Sequence, residues 1–218
     1  MKFEKHYLEI KKTARFFTLG ELTDKTLAVW FVLHGYGQLA EFFIKKFECI
    51  AGENNFIVAP EALNKFYLKG FSGRVGATWM TKEERLKEIK DYALYLDKVY
   101  FQIINNQKYE NIKINLLGFS QGAHTAVRWA IYGKPKINNL ILWSGSFPAE
   151  PEIENHLPLF NGMNVFILSG SNDEFIDEKS VQIETERLNK LGLKFHSLRF
   201  DGGHEIKKET LQQLNGML

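Results

Sequence analysis

Cysteine is almost absent from this chain of 218 residues, because Cys49 is the only one. An internal disulfide is therefore excluded. An excess of one charge sign is also absent, since the formal net charge is +2 and basic and acidic residues are interspersed. Nucleic-acid binding needs a concentrated basic face, so this pattern predicts no nucleic-acid partner.

Long hydrophobic runs are missing too. The longest, residues 27–33, is too short to span a bilayer, and the first six residues carry charges where a secretory signal has an apolar core. We therefore expect no transmembrane segment and a cytoplasmic protein. Only five prolines occur, and no repeat or low-complexity linker interrupts the chain, so we predict a single domain over residues 1–218.

Apolar runs alternate with helical stretches along most of the chain. Continuous apolar runs are typical of strands that are covered on both faces of a parallel sheet. The predicted strands are residues 26–33, 56–60, 112–119, 139–143, 165–168 and 194–200. The predicted helices are residues 39–50, 121–132, 176–191 and the tail after residue 204.

Three further segments complete the predicted fold. Residues 6–20 are rich in β-branched and aromatic side chains and predict two short strands, whereas residues 62–80 show no regular pattern. Thr81 to Glu84 has a capping-box pattern that predicts the start of a helix running to about Asn105. The order of elements predicts a mostly parallel central sheet with an antiparallel N-terminal strand pair and helices on both faces.

The motif Gly118-Phe119-Ser120-Gln121-Gly122 follows a predicted strand and precedes a predicted helix. A serine on such a sharp turn is raised toward a substrate, and the chain passes so close to its neighbours that both flanking positions favour glycine. The helix also directs free N–H groups and its positive dipole end toward the site. We therefore predict that Ser120 is a nucleophile; an ordinary loop serine is the alternative.

A serine hydroxyl needs a base near neutral pH. His204 follows the last predicted strand, after two glycines that would let the loop carry it over the sheet edge. Asp173 follows the strand at 165–168 and would orient the imidazole and stabilise its charged form. The adjacent Glu174 is the alternative acid. The chain order Ser, Asp, His is the one expected where the serine lies on a strand-to-helix elbow.

The oxyanion of such a reaction needs two N–H donors. We predict the backbone N–H of Gln121 and that of Tyr36, which lies in the loop His34-Gly35-Tyr36-Gly37. His34 is expected to shape this loop through hydrogen bonds. The sequence contains no metal-ligand pattern, and we predict neither a metal nor a cofactor.

The loop at 34–37, the elbow at 118–122, the segment at 169–173 and the ending Gly202-Gly203-His204 together resemble the phospholipase/carboxylesterase family over nearly the whole chain. That family includes small carboxylesterases and acyl-protein thioesterases. The resemblance implies an α/β-hydrolase fold, the triad Ser120, Asp173 and His204, and the oxyanion donors Tyr36 and Gln121. It also implies a small acyl ester as substrate, with short-to-medium chains, or a thioester or lysophospholipid. Small hydrolases of this kind often form homodimers.

Two departures from the family pattern concern the substrate. Gln38 stands where members often have an acidic residue, and the region around Trp79-Met80 differs from that of the better-known thioesterases. Only residues 147–163 separate two predicted strands where a cap domain usually enters, so we expect no large cap. The acyl pocket would then be lined by loops. Candidate pocket residues, for which core packing is the alternative, are Phe71, Trp79, Met80, Phe147 and Phe175.

Two other functions remain open from the sequence. Residues 35–40 match Gly-x-Gly-x-x-Ala between a strand and a helix, with Glu61 placed where a ribose-binding acid could lie, which is a dinucleotide-binding pattern that would use Gly35 and Gly37. A non-catalytic binding protein on the hydrolase fold is the second. Among enzymes, the sequence does not separate esterase, thioesterase, lysophospholipase and peptidase activities, because all use the same acyl-enzyme.

Overall fold

A mostly parallel sheet forms the centre of the molecule in the computed structural model, which describes residues 2–104 and 112–218. Within these residues the sheet has seven strands: β1 Phe16–Leu19, β2 Ala28–Leu33, β3 Asn55–Pro60, β6 Lys113–Phe119, β7 Asn139–Trp143, β8 Asn164–Gly170 and β9 His196–Phe200. Their order is β1-β3-β2-β6-β7-β8-β9. Strand β1 runs antiparallel to β3, and all other neighbours are parallel.

Helices cover both faces of the sheet. They are α1 Ala40–Phe43, α2 Arg85–Ile104, α3 Gln121–Tyr132, α4 Pro151–Glu154, α5 Glu178–Lys190 and α6 Lys208–Met217, with two 3₁₀ turns at Ile44–Phe47 and Leu157–Gly162. Helices α2 and α3 pack on one face, and α1 and α6 on the other. No described helix is both long and apolar enough to cross a membrane.

Strand β2 shows why the central strands read as continuous apolar runs. All six of its residues are buried, and successive side chains enter opposite cores. Phe31 packs toward α2 and α3, whereas Trp30 packs on the side of α1 and α6. Because such large side chains fill both cores, replacing either by alanine is expected to cost about 3–5 kcal/mol of stability.

The N-terminal segment corrects one prediction. Residues 6–15 contain no strand, and a single strand, β1, pairs with β3 in place of the predicted pair. The residues before β1 are exposed and are tied to the protein by side chains, such as Lys5 and Tyr7, which both bind Glu84. A β-favouring composition yields a strand only where a sheet edge is available, and Phe16 to Leu19 occupies that edge.

The predicted start of α2 was also wrong. The helix begins at Arg85, because Glu84 has a φ of 50°, a left-handed value that a right-handed helix does not accept. The backbone N–H of Thr81 instead donates to the carboxylate of Glu88 at 2.6 Å. The predicted end near Asn105 lies outside the described residues.

Residues 62–80, for which the sequence showed no regular pattern, contain an antiparallel hairpin. Its strands are β4 Asn64–Tyr67 and β5 Val75–Thr78. A bridge between Gln38 and Ala77 joins the hairpin to the loop after β2. Between β7 and β8 lie only α4 and one 3₁₀ turn, so the fold has no large cap. The hairpin therefore stands beside the carboxyl ends of the parallel strands, where ligands of such sheets bind.

Candidate active site

Ser120 lies at the sharp turn between β6 and α3. Its backbone has a φ of 55° and a ψ of −116°, a conformation that non-glycine residues rarely adopt and that costs about 1–3 kcal/mol. The turn is held from both sides: the N–H of Ser120 donates to the carbonyl of Trp143 at 2.9 Å, and the N–H of Ala123 donates to the carbonyl of Ser120 at 3.0 Å. The surrounding strand and helix therefore impose the strained conformation.

The two glycines of the elbow are required by close backbone packing. A Cβ atom at Gly118 would lie 2.2 Å from the carbonyl oxygen of Gly122. A Cβ atom at Gly122 would lie 2.2 Å from the carbonyl oxygen of Leu33 in β2. Because both obstacles are backbone atoms, neither can rotate away, and the motif needs glycine at both positions.

Asp173 and His204 are joined by a hydrogen bond. The Nδ1 atom of His204 lies 2.9 Å from Oδ2 and 3.0 Å from Oδ1 of Asp173, whose side chain is fully buried. An ionised carboxylate only accepts, so Nδ1 carries the proton and Nε2 is left as an acceptor. Glu174, the alternative acid, is exposed. Asp173 is thus the acid that orients the imidazole.

The carboxylate of Asp173 stays ionised for identifiable reasons. Burial raises its pKa, but hydrogen bonds from the N–H of Phe175 at 2.9 Å and from His204 outweigh this effect and hold the pKa below its usual range. The N–H of Ile176 adds a further hydrogen bond at 3.2 Å. An ionised acid at this point can stabilise a positively charged imidazole.

The loop of His204 reaches the elbow. The ring of His204 lies 4.9 Å from the ring of Phe119, the residue before Ser120, and 4.7 Å from the ring of Phe175. The loops after β8 and β9 approach so closely that a Cβ atom at Gly170 would lie 2.3 Å from the carbonyl oxygen of Gly202. The three predicted triad residues therefore lie at the carboxyl ends of β6, β8 and β9, along one edge of the sheet.

The loop that carries Tyr36 lies against the elbow. A Cβ atom at Gly35 would lie 3.3 Å from the Cβ atom of Ser120 and 3.1 Å from the ring of Phe119. Among the described residues, no hydrogen bond occupies the backbone N–H of Tyr36 or that of Gln121, the first residue of α3. Two free N–H donors are thus available beside the serine.

His34 and Trp79 fix the conformation of this loop. Nε2 of His34 accepts from the N–H of Ala62 at 3.1 Å, so Nδ1 carries the proton and donates to the carbonyl of Gly35 at 2.8 Å. Burial lowers the pKa of His34 to about 4, so its ring is neutral near pH 7. Nε1 of Trp79 donates to the carbonyl of His34 at 2.8 Å. The shaping role expected of His34 is confirmed.

Two glutamine side chains also hold the site, and no sequence pattern indicated either role. Oε1 of Gln38 accepts from the N–H of Gly35 at 2.9 Å. The amide of Gln121 accepts from the N–H of Trp79 at 3.2 Å and donates to the carbonyl of Met80 at 3.0 Å. These contacts join residues that are distant in sequence, so only the folded structure reveals them.

The five predicted pocket residues have different surroundings. Phe71 is 97% exposed at the tip of the β4–β5 hairpin, and Phe175 is 70% exposed above His204. Trp79 and Phe147 are buried in the core, with Phe147 packed 5.0 Å from Phe160, and Met80 is partly buried. Of the five, Phe175 is the one in ring contact with the imidazole.

A small apolar cavity of about 130 Å³ lies between the ends of β7 and β8 and helix α5. Gly145, one of its lining residues, is so close to the elbow that a Cβ atom there would lie 2.9 Å from the carbonyl oxygen of Ser120. Ile176, another lining residue, donates to Asp173. The remaining lining residues are Ser146, Ile167, Ser169, Ser180, Val181, Glu184, Thr185 and Ser197. Two residues that line the cavity thus lie against the backbone of the serine and the carboxylate of the acid.

A family model described as phospholipase/carboxylesterase matches residues 20–218. The structure is similar to that of acyl-protein thioesterase 2 from Zea mays, with a TM-score of 0.66 and 19% identity over 94% of this chain and 97% of that one. It is also similar to a carboxylesterase from Mesorhizobium loti, with a TM-score of 0.67 and 17% identity over 94% and 93% of the two chains.

A third similar structure is the Bacillus cereus carboxylesterase, with a TM-score of 0.61 and 14% identity over 94% of this chain and 92% of that one. At these identities the likenesses establish the α/β-hydrolase fold. Among curated proteins, no match was found.

Proposed function

This chain belongs to the phospholipase/carboxylesterase family, which makes it an esterase of the serine-hydrolase type, and we propose that it cleaves acyl esters through an acyl-enzyme on Ser120. The observation that carries the proposal is the hydrogen bond between Asp173 and His204 next to the strained elbow. That arrangement leaves Nε2 of His204 as the base for the serine hydroxyl.

In the proposed mechanism His204 removes the proton of Ser120 as the serine oxygen attacks the acyl carbon. The negative charge that develops on the carbonyl oxygen accepts hydrogen bonds from the backbone N–H groups of Tyr36 and Gln121. The alcohol leaves with the proton held by His204, and a water molecule activated by the same imidazole then releases the acid. Asp173 stabilises the imidazolium in both steps.

We propose that the cavity bordered by Gly145 and Ile176 receives the acyl chain. Its volume of about 130 Å³ is close to that of an apolar protein cavity of about 150 Å³ that holds benzene. A chain of roughly six carbons is therefore the upper limit without rearrangement. The size supports short-to-medium acyl esters, and the exposed ring of Phe175 would contact the ester from outside.

The test is covalent labelling with a fluorophosphonate probe. The wild-type protein should be labelled, and Ser120→Ala should not be, whereas Ser72→Ala at the exposed hairpin tip should be labelled like the wild type. An unlabelled wild-type protein would favour a non-catalytic binding protein. A series of p-nitrophenyl esters, with acyl-CoA and a peptide beside it, then separates the substrates; we expect the short-to-medium esters to react fastest.

Dinucleotide binding has less support. The carboxylate of Glu61, which the sequence placed as a ribose ligand, is almost fully buried and bound to Arg15 and Lys65. It also accepts from the N–H of Ala40 at 3.3 Å. Calorimetry with NAD should accordingly show no binding.

Three properties of the whole protein belong to the same proposal: a single domain over residues 1–218, a cytoplasmic location and a homodimer. Sedimentation of the purified chain tests the last of these, because a monomer at micromolar concentration would contradict it.

A further inference from the structure

A charged cluster lies along helix α3 on the side of Met80. It consists of Arg85 at the start of α2, His124 and Arg128 in α3, and Glu150 before α4. The carboxylate of Glu150 binds the guanidinium groups of both Arg85 and Arg128. Two cations therefore share one anion, and the cluster carries a net positive charge.

Arg128 has hydrogen-bonding capacity that the described residues leave unused. Its side chain is only 6% exposed, and its buried Nε atom has no hydrogen-bond partner among them. The hydroxyl of Tyr92, which interacts with Arg128, is likewise buried without a hydrogen-bond partner in the described part of the chain. The side chain of Arg85 is 31% exposed, so it can be reached from solvent. A guanidinium has five N–H donors, and one carboxylate cannot occupy ten donors on two of them. The cluster can therefore bind a second anion.

Two members of the cluster lie on the helix that begins directly after the proposed nucleophile. His124 lies about one helical turn after Ser120, and helical side chains lean toward the helix N-terminus, which places its ring over the turn that begins at Gln121. Met80 joins the two regions, because its carbonyl accepts from Gln121 and its sulfur lies 3.5 Å from Nη1 of Arg128. A substrate bound at Ser120 would thus pass beside the cluster.

The pKa of His124 reflects the charges around its ring. Burial, followed by the nearby charge of Arg128, lowers the pKa of His124 to about 4, with a further lowering from Arg85 and an opposing effect of Glu150. The ring is therefore neutral near pH 7 and presents one N–H donor. The part of this lowering that comes from Arg128 and Arg85 reflects a positive potential, which favours an anion next to the ring.

We propose that Arg85, Arg128 and His124 form an anion subsite that favours esters carrying a carboxylate a few bonds from the scissile carbonyl. The inference rests on the proposed esterase function and names its preferred substrate class. Glu150 tunes the subsite, because it neutralises part of the charge and holds both guanidinium groups in place.

The test compares pairs of esters that differ in one terminal group, which is a carboxylate in one ester and a methyl group in the other. Monomethyl succinate against methyl butyrate places the carboxylate on the acyl side, and acetoxyacetate against ethyl acetate places it on the alcohol side. Acid release gives kcat/KM for each ester, and the ratio of charged to neutral ester cancels any general loss of activity. The ester pair with the larger ratio of charged to neutral kcat/KM identifies the side of the ester, acyl or alcohol, on which the carboxylate binds.

Two variants should move this ratio in opposite directions. Arg85→Gln removes a cation and should lower the ratio about tenfold, as expected for one charge-assisted hydrogen bond. Glu150→Gln removes the competing anion and should raise it severalfold. The ratio in Arg85→Lys should lie between the ratios of the wild type and Arg85→Gln, because lysine keeps the charge but lacks the two-pronged geometry of a guanidinium. In the wild type, added salt should lower the ratio.

A purely structural role for the cluster would change both esters of a pair equally. Ratios that stay constant in Arg85→Gln and Glu150→Gln, or that move in the same direction, would overturn the anion subsite. Hydrolysis of the neutral esters tests the esterase function separately, and it should be lost in Ser120→Ala. The esterase function and the anion subsite can therefore be contradicted independently.

Discussion

The imidazole of His204 lies 2.9 Å from the buried carboxylate of Asp173, while the neighbouring Glu174 points to solvent. Two adjacent acids thus have different surroundings. Asp173→Asn is expected to lower kcat about 10⁴-fold, because an amide can impose the wrong imidazole tautomer. Glu174→Gln is the matched control and should change kcat less than twofold. Steady-state hydrolysis of a p-nitrophenyl ester measures both, and a larger loss in Glu174→Gln would reverse the assignment.

The stability of the protein should fall between pH 6.5 and pH 4. Burial lowers the pKa of His34 from 6.5 to about 4, so the unfolded chain binds more protons than the folded one in this window. Stability is therefore fully present above pH 6.5 and is lost as the pH falls toward 4, by up to about 3 kcal/mol for this group. Urea unfolding at pH 7 and pH 5 measures the difference.

His34→Gln should flatten this pH dependence. His124 has a pKa lowered in the same direction, so the variant should remove part of the slope and leave the rest. The double variant His34→Gln/His124→Gln should remove most of it. A His34→Gln protein whose stability still falls as steeply as that of the wild type would show that the ring of His34 is not buried and neutral.

Glycine-to-alanine substitutions at two helical positions should have opposite effects. At Gly122 the added methyl group would meet the carbonyl oxygen of Leu33 at 2.2 Å, so Gly122→Ala should destabilise the protein by several kcal/mol, about 3 or more, and displace Ser120. At Gly216 in α6, no atom lies within 4 Å of the added Cβ. Gly216→Ala should therefore stabilise by about 0.5–1 kcal/mol. Thermal unfolding compares them, and equal effects would contradict the packing at the elbow.

Trp79→Phe should impair catalysis as well as stability. The variant loses the hydrogen bond to the carbonyl of His34, which costs about 1–3 kcal/mol when the acceptor stays buried, and it loosens the loop that carries Tyr36. We expect kcat to fall more than KM rises.

Trp30→Phe is the control for that experiment. It loses a comparable hydrogen bond, from Nε1 to Asn55 at 3.1 Å, at a point away from the loop. It should lose similar stability and keep its kcat. Equal kcat values in the two variants would mean that Trp79 supports the fold alone.

The central sheet and its alternating helices were predictable because parallel strands buried on both faces leave an unmistakable apolar run. The strand–glycine–serine–glycine–helix pattern likewise predicted the sharp turn at Ser120, since backbone contacts at 2.2 Å leave no room for other residues at Gly118 and Gly122. These features depend on local sequence and on the order of elements.

The parts that could not be predicted depend on contacts between distant segments. The hairpin at 64–78 mixes glycines with aromatic and charged residues without regular alternation, and a bridge between Gln38 and Ala77 joins it to a distant loop. Trp79 was a candidate for the pocket because it is aromatic, yet its indole is buried and donates to the carbonyl of His34. The spacing of apolar residues shows that a side chain is buried, but it does not show which backbone carbonyl that side chain will contact.

The φ of 55° at Ser120 is a backbone strain that glycine at this position would release. Ser120→Gly, which lacks the proposed nucleophile, should therefore melt at a higher temperature than the wild type. An inhibitor that captures the serine oxygen would leave the torsion unrelieved. If Ser120 is the nucleophile, as proposed, a screen for heat resistance alone selects variants at this position that have lost catalysis.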